Sequence, residues 1–364
     1  MKLAHEGEFT IYANPLPLLV SRQAAFPGLV TLPDGDILAM FSIGQAFDAA
    51  DMRTHVSRSS DGGRTWSTQV ALHDGTALES ESFKPVVLPD QRLLAAGYVF
   101  ERPDMVTPIA DPETQALLPL RNKCCWSSDG GKTWTAPRAF SVDGAQLELS
   151  GPAIATQDVR ILGAAAPFHL DDNGHEGWII ESLDGGESWH RLSVFFRSQQ
   201  GNVAPWECRL CEMASGRIAV QFWAYDVSAQ TNLDVHIALS TDGGHSFLPA
   251  IRTGIQAQAS GLIALDETRI LAIHAHREAP AGLVARVLRL SDSDVEIQAE
   301  CPIFGGEAQA SQNADGIVRQ FGSLRFGQPG LLRLSDTDFI VSCWQVQDCQ
   351  HVIRGDRLRL DTNG

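Results

Sequence analysis

The sequence predicts an all-β fold: a six-bladed propeller of four-stranded antiparallel blades spanning residues 1–364 as a single domain. Three observations carry that expectation. An eight-residue phrase returns four times, at residues 59–66, 127–134, 182–189 and 240–247, each copy with Asp-Gly-Gly at its centre. Its aspartates, Asp61, Asp129, Asp184 and Asp242, lie 68, 55 and 58 residues apart, and a period of about 60 divides this chain into about six units. The third observation is Glu8-Phe9-Thr10-Ile11-Tyr12, a lone strand pattern with no hairpin partner nearby, as expected of a strand that completes the last blade and closes a ring. A solenoid is the competing repeat architecture and has no use for such a strand.

Each unit reads the same way. In the first, residues 26–32 form an extended segment, Pro33-Asp34-Gly35-Asp36 a turn and residues 37–41 a second strand. The second unit repeats this with residues 84–88, the turn Pro89-Asp90-Gln91-Arg92, and residues 93–97; the fourth with residues 209–213, 214–217 and 218–222. A loop and a third strand then lead into the Asp-Gly-Gly phrase, and a fourth strand follows. The fifth and sixth units keep the strand pair, at residues 261–265 with 270–274 and 330–334 with 339–344, but lose the phrase, of which Ser291-Asp292-Ser293-Asp294 is a worn remnant.

Composition narrows the function classes. Apolar residues make up 44% and charged residues 20%, with 32 Gly and 18 Pro, a globular and turn-rich balance. A net charge of −16 repels a phosphate backbone, so no nucleic-acid partner is expected. No run of 18 apolar residues and no apolar leader occur, so no membrane partner is expected and the default location is cytoplasmic. Seven cysteines at irregular spacing fit reduced, buried thiols. Cys208 and Cys211 have the spacing of a metal or redox pair, but three residues apart on a strand they face opposite ways.

The four phrases are Asp-boxes, and with the Pro-containing first strand and the Pro-Asp-Gly turn they make nearly the whole chain resemble the sialidase, or neuraminidase, superfamily of six-bladed propellers. The resemblance implies that the boxes lie on the face opposite the active site. Residues at the start of each innermost strand, and in the loop after each second strand, are then the site candidates. It also implies three arginines clamping a substrate carboxylate, a nucleophilic tyrosine paired with a glutamate, and an aspartic acid in the first blade's loop. This sequence departs from that set. Ala25 occupies the first arginine's slot, with Arg22 three residues earlier; Trp223-Ala224-Tyr225 replaces the blade-four arginine; and Gln328-Pro329-Gly330 stands where the tyrosine belongs, with no tyrosine after Tyr225. Two elements match: Asp48, thirteen residues before Asp61, with Asp51 as its rival for the acid, and Glu207 opening blade four.

The expected catalytic set is therefore Asp48, Asp51 and Glu207, since two carboxylates across a pocket suffice for general acid–base glycoside hydrolysis. Arg209 shares the strand face of Glu207 and is either a substrate contact or its buried ion-pair partner. Further substrate contacts are expected from Arg22, Gln23, Lys84, Trp223, Tyr225, His274, Arg277, Arg325 and Gln328, the aromatics offering flat faces to a sugar ring. His274 and His276, with His169 and His175, fit no metal motif, so no metal and no cofactor is expected. The function these residues imply is a sialidase-like glycoside hydrolase acting on a small sugar conjugate, anionic or not, and not a standard sialidase. Two alternatives stay open: a non-catalytic carbohydrate-binding propeller, and a polysaccharide lyase using Tyr98, Tyr225 or His274 as base beside a uronate. Oligomeric state is not legible.

Overall fold

The computed structural model describes residues 1–111, 113–114, 116–171, 174–305 and 323–361. Among them there is no helix long and apolar enough to cross a membrane, and the secondary structure is strand throughout. Six antiparallel sheets form the blades. Blade one takes Gln23–Thr31, Ile37–Gly44, Arg53–Ser59 and Val70–Ala71 from the axis outward; blade two takes Glu79–Val87, Leu93–Glu101, Leu120–Ser127 and Arg138–Phe140. In blade three the innermost strand is broken into Leu147–Glu148 and Ile154–Ala155, both pairing with Ile161–Pro167. Blade four runs from Val203–Glu212 through Ile218–Asp226 and His236–Ser240 to Ile251–Arg252, and blade five from Ser260–Ala264 to Val295–Gly305.

Blade six joins the two ends of the chain. Its strands Phe326–Arg333, Asp338–Gln347 and Gln350–Asp361 are completed by Lys2–Tyr12, antiparallel to Gln350–Asp361 with Lys2 opposite Asp361 and Thr10 opposite Arg354. The closing strand is longer than the segment 8–12 read from the sequence because Leu3 and His5 also find partners, Leu3 in the apolar core and His5 on Asp356, Nε2 to Oδ1 at 2.8 Å.

The core is distributed around the ring. Six apolar clusters each lie between neighbouring blades, for example Leu38, Met40, Phe83 and Leu93 between blades one and two, and Tyr12, Phe41, Trp344 and Ile353 between blades six and one. Cys208 packs toward blade three and Cys211 toward blade five, so the C-x-x-C thiols face apart and both are buried and free.

The four Asp-boxes share one geometry. Asp129 Oδ1 accepts the N–H groups of Lys132 and Thr133 and the Ser127 hydroxyl, its Oδ2 accepts the Thr133 hydroxyl at 2.6 Å, and Ser127 Oγ accepts the Gly131 N–H. The first glycine of each box presents its carbonyl to the preceding blade: Arg58 donates to Gly130, Trp126 to Gly185, Arg160 to Gly243, and Arg357 of blade six to Gly62. Each box is thus a clip between blades. In blade five, Asp292 of the worn remnant takes the place of the glycine carbonyl and pairs with Arg217 at 2.8 Å. The hydroxyls of Thr133 and Ser246, aided by backbone N–H groups, draw Asp129 and Asp242 down to about 2. A depressed carboxyl stabilises the fold above its unfolded value of about 4 and loses that contribution as the pH falls toward 2. Asp242→Ala is accordingly expected to lower the melting temperature by about 2 °C near neutrality, and the gap to the parent protein should close in thermal melts as the pH drops from about 4 to 2.

Candidate active site

A third strand that begins beside the end of the second must end at the opposite rim, so the boxes mark one face and the starts of the innermost strands mark the other. On that second face three innermost strands are irregular in the same way. Register shifts occur between Ala25 and Gly28, Trp206 and Arg209, and Gly327 and Gly330. Within each shift a non-glycine residue takes a left-handed backbone: Phe26 at φ 60°, Glu207 at 48° and Gln328 at 43°. Such bulges re-aim a side chain at a cost in backbone strain, and they cluster at functional sites. All three of these side chains line one cavity of about 90 Å³ on the ring axis.

Its wall is aromatic. Phe26, Phe47 and Trp344 form one side, with ring centres 5.3 and 5.0 Å apart; Phe100, Phe168 and Trp206 form the other, each 6.2 Å from the next. Trp223 meets Trp206 edge-on at 5.2 Å, and Tyr98, Ile109 and Leu324 complete the apolar lining.

Three carboxyls open into this wall: Asp48, Glu148 and Glu207. Asp48 is in the loop after the second strand of blade one, with a left-handed φ of 59°. Its carbonyl accepts Arg102 Nη1 at 2.6 Å and Ser80 Oγ at 3.0 Å, which fixes the backbone and aims the carboxyl inward. Burial pushes that carboxyl up to about 6, with Arg102 pulling it back. Glu207 lies between two guanidiniums, Arg209 Nη2 at 3.5 Å and Arg277 Nη2 at 3.6 Å, and Arg277 rests over the Trp223 ring at 5.7 Å. The backbone N–H of Glu207 donates to Glu148 Oε2 at 3.0 Å. Burial, reinforced by the charge of Glu207, raises Glu148 to about 7. Tyr98 is held well above its ordinary value, first by burial and then by Glu148, Asp48 and Glu207, so its phenol is neutral at physiological pH.

Of the residues expected from the sequence, Asp48, Glu207, Trp223, Arg277 and Gln328 meet in this cavity. The others lie elsewhere, each for a physical reason. Asp51 turns away to accept the Gln45 N–H at 3.1 Å and braces the Asp48 loop. Arg22 and Arg325 are exposed outside the cavity lining, and the Arg325 carbonyl accepts the Val346 N–H. Gln23 Oε1 accepts the His351 N–H at 2.7 Å and ties blade one to blade six. Tyr225 is buried behind Trp206, stacked at 4.8 Å. His274 is fully buried, its ring nitrogens without a hydrogen-bond partner among the described residues, and it does not line the cavity. Lys84 and Arg209 point into a second chamber below; Arg209 is the ion-pair partner of Glu207, as one of its two readings had it. Glu81, near Lys84 in the same strand, pairs with His73 at 2.8 Å and Arg53 at 3.6 Å. Among the described residues no group of three His, Cys, Asp or Glu side chains is arranged to hold a metal ion.

The residue missed by sequence reasoning is Glu148. It precedes the break in the inner strand of blade three, where no Asp-box or Pro-turn sets the register, and Gln146-Leu147-Glu148-Leu149 reads as an ordinary alternating strand. The phenylalanines were missed because Phe26 and Phe100 read as ordinary apolar strand residues and Phe47 and Phe168 as single aromatics between strands, none of which carries a site pattern.

No family model matches the chain. A sialidase from Micromonospora viridifaciens is 29% identical over 255 residues, 61% of this chain and 35% of that protein, so the chain spans about a third of that relative's length. Among solved structures, a protein of unknown function from Dyadobacter fermentans superposes with a TM-score of 0.76 at 19% identity, covering 99% of both chains. The NanB sialidase of Streptococcus pneumoniae gives 0.67 at 12% identity over 98% of this chain and 70% of that one. An α-L-arabinanase from Penicillium chrysogenum, solved with arabinobiose, gives 0.67 at 15% identity over 97% and 98%. The fold is that of a six-bladed propeller with a carboxyl-bearing aromatic pocket on its axis. The resemblance to the sialidase superfamily therefore holds in sequence and in architecture.

Proposed function

We propose that this protein is a glycoside hydrolase that acts on a small sugar conjugate by carboxylate acid–base catalysis, and that it is not a standard sialidase. The observation that carries the proposal is the convergence of Asp48 from blade one and Glu207 from blade four on one aromatic-walled cavity. Asp48, raised to about 6, is suited to protonate the leaving oxygen, while Glu207, between two guanidiniums, is placed either to activate water or to stabilise charge at the anomeric carbon. The aromatic wall supplies faces for the sugar ring.

The charge balance of the pocket bears on the substrate. Three carboxyls face one guanidinium, that of Arg277, which is already engaged with Glu207. A carboxylated sugar finds little to neutralise it there, so the pocket suits a neutral or cationic sugar better than the anionic one the superfamily resemblance suggests. Gln328 stands where a sialidase would bring its tyrosine, which removes the nucleophile, and Ala25 and Trp223-Ala224-Tyr225 stand where it would bring two arginines of the clamp. The lyase reading keeps only Tyr98 as a base, since Tyr225 and His274 do not reach the cavity.

The test is a panel of aryl glycosides and uronate oligosaccharides. The expected result is new reducing ends from a neutral or amino-sugar glycoside. Release of sialic acid from a fluorogenic sialoside is expected to be at least about 100-fold less efficient, the scale of a lost charged contact. An ultraviolet-absorbing unsaturated product would replace the proposal with a lyase, and binding without turnover would replace it with a carbohydrate-binding propeller.

A further inference from the structure

Beneath the aromatic pocket the ring axis holds a second chamber of about 50 Å³, bounded by Gly28, Pro152, Gly261 and Gly330, with the side chains of Lys84 and Arg209 on its wall. Gln328 lines both chambers. The glycines let the inner strands come close: a Cβ on Gly261 would sit 2.6 Å from the Pro329 carbonyl oxygen, and one on Gly28 would sit 2.9 Å from Lys84 Cδ. The space is that of a few water molecules.

Lys84 is 2% exposed. Its ammonium donates to the Phe26 carbonyl at 3.0 Å and to Ser82 Oγ at 3.2 Å, both neutral, and among the described residues it forms no ion pair with a carboxylate. Arg209, 5% exposed, donates to Ser150 Oγ and the Cys208 carbonyl, and meets Glu207 at the loose distance of 3.5 Å. Around the axis, Lys84, Arg209 and Arg277 face Glu207, Glu148 and Asp48, but among the described residues none of these three carboxyls comes within ion-pair distance of Lys84. A buried cation without a counter-charge is costly, and a single monovalent anion removes the cost. Burial and the charge of Arg209 draw Lys84 down to about 7, against the more distant pull of Glu207 and Glu148, the direction expected of an ammonium with no counter-ion in contact.

We propose that this axial chamber is a binding site for a small monovalent anion of the halide type, held between the Lys84 ammonium and the Arg209 guanidinium. The site shares Arg209 with the pair formed by Glu207, but its occupancy does not depend on the reaction proposed above. A ligand that binds only the folded protein raises its melting temperature, so melting in chloride or bromide is expected to exceed melting in gluconate, an anion too bulky to enter, by about 2 °C at equal ionic strength. Crystals soaked in bromide are expected to show an anomalous peak on the axis between Lys84 and Arg209. Lys84→Met exchanges a buried unpaired charge for an apolar side chain of similar length, a change that is generally tolerated, and it should abolish both the peak and the halide response. Bromide absent from the chamber in the parent crystals overturns the proposal. So does a halide response that survives in Lys84→Met. Both readouts are indifferent to whether the protein hydrolyses any glycoside.

Discussion

Glu207→Gln is expected to lower turnover about 1000-fold on every glycoside the protein cleaves, within the range a positioned acid–base group contributes. The substitution keeps the shape of the side chain and the backbone N–H that Glu148 accepts, so loss of activity would report loss of the negative charge between Arg209 and Arg277. Asp48→Asn should behave differently. It should cost about 100-fold or more on substrates with poor leaving groups and much less on activated aryl glycosides, which need little protonation. The pH profile carries the same assignment. An acid at about 6 must be protonated to act, so kcat/KM should fall as the pH rises through that value, and this limb should disappear in Asp48→Asn. Glu148, at about 7, adds a second ionisation that Glu148→Gln removes. Steady-state kinetics of the three variants on an activated and an unactivated glycoside would check the scheme. If Glu207→Gln and Asp48→Asn both retain full activity, the carboxyl pair is not the catalytic apparatus.

How much of this was legible in the sequence follows from what repeats. The blades were readable because the box and the Pro-turn recur in fixed register, and both are local: Asp129 finds all its partners within four residues. Asp48 and Glu207 were reachable because the resemblance to the sialidase superfamily implies an acid in the loop before the first box and a glutamate opening blade four. The rest of the pocket is set by long-range geometry. Glu148 becomes a site residue only because the inner strand of blade three breaks after it and because Glu207, 59 residues later, turns its N–H back through a left-handed bulge. The bulges themselves leave a faint trace, Phe26-Pro27-Gly28-Leu29 matched by Gln328-Pro329-Gly330-Leu331, but Glu207-Cys208-Arg209 makes the same bulge without proline or glycine. Arg22 and Arg325 show the converse error: a position near the start of an inner strand does not bring a long side chain to the axis.

Removing residues 1–13 is expected to unfold the entire ring and not merely to loosen blade six. The deleted strand buries Leu3, Ile11 and Tyr12, each contributing about 1.5–3 kcal/mol, against a net stability of about 5–15 kcal/mol for a folded protein. It also strips Asp356 of His5 and Arg354 of Glu8, at 2.8 and 2.6 Å, and removes Phe9 from beneath the Arg357 guanidinium. Arg357 is the residue that donates to the Gly62 carbonyl of the first Asp-box, and Tyr12 packs on Phe41 of blade one at 5.3 Å. The loss therefore reaches across the seam between the last blade and the first. In an open array the terminal strand would fray alone, because no further contact depends on it. In a ring every blade has two neighbours, and opening one seam exposes an apolar face on each side together with an unpaired strand edge. The expected outcome is a protein that is insoluble or lacks a cooperative melt, with folding restored when a peptide of residues 1–13 is supplied in trans. A truncated protein that melts in one transition at the parent temperature, with amide exchange raised only in Gln350–Asp361, would show that the seam is dispensable.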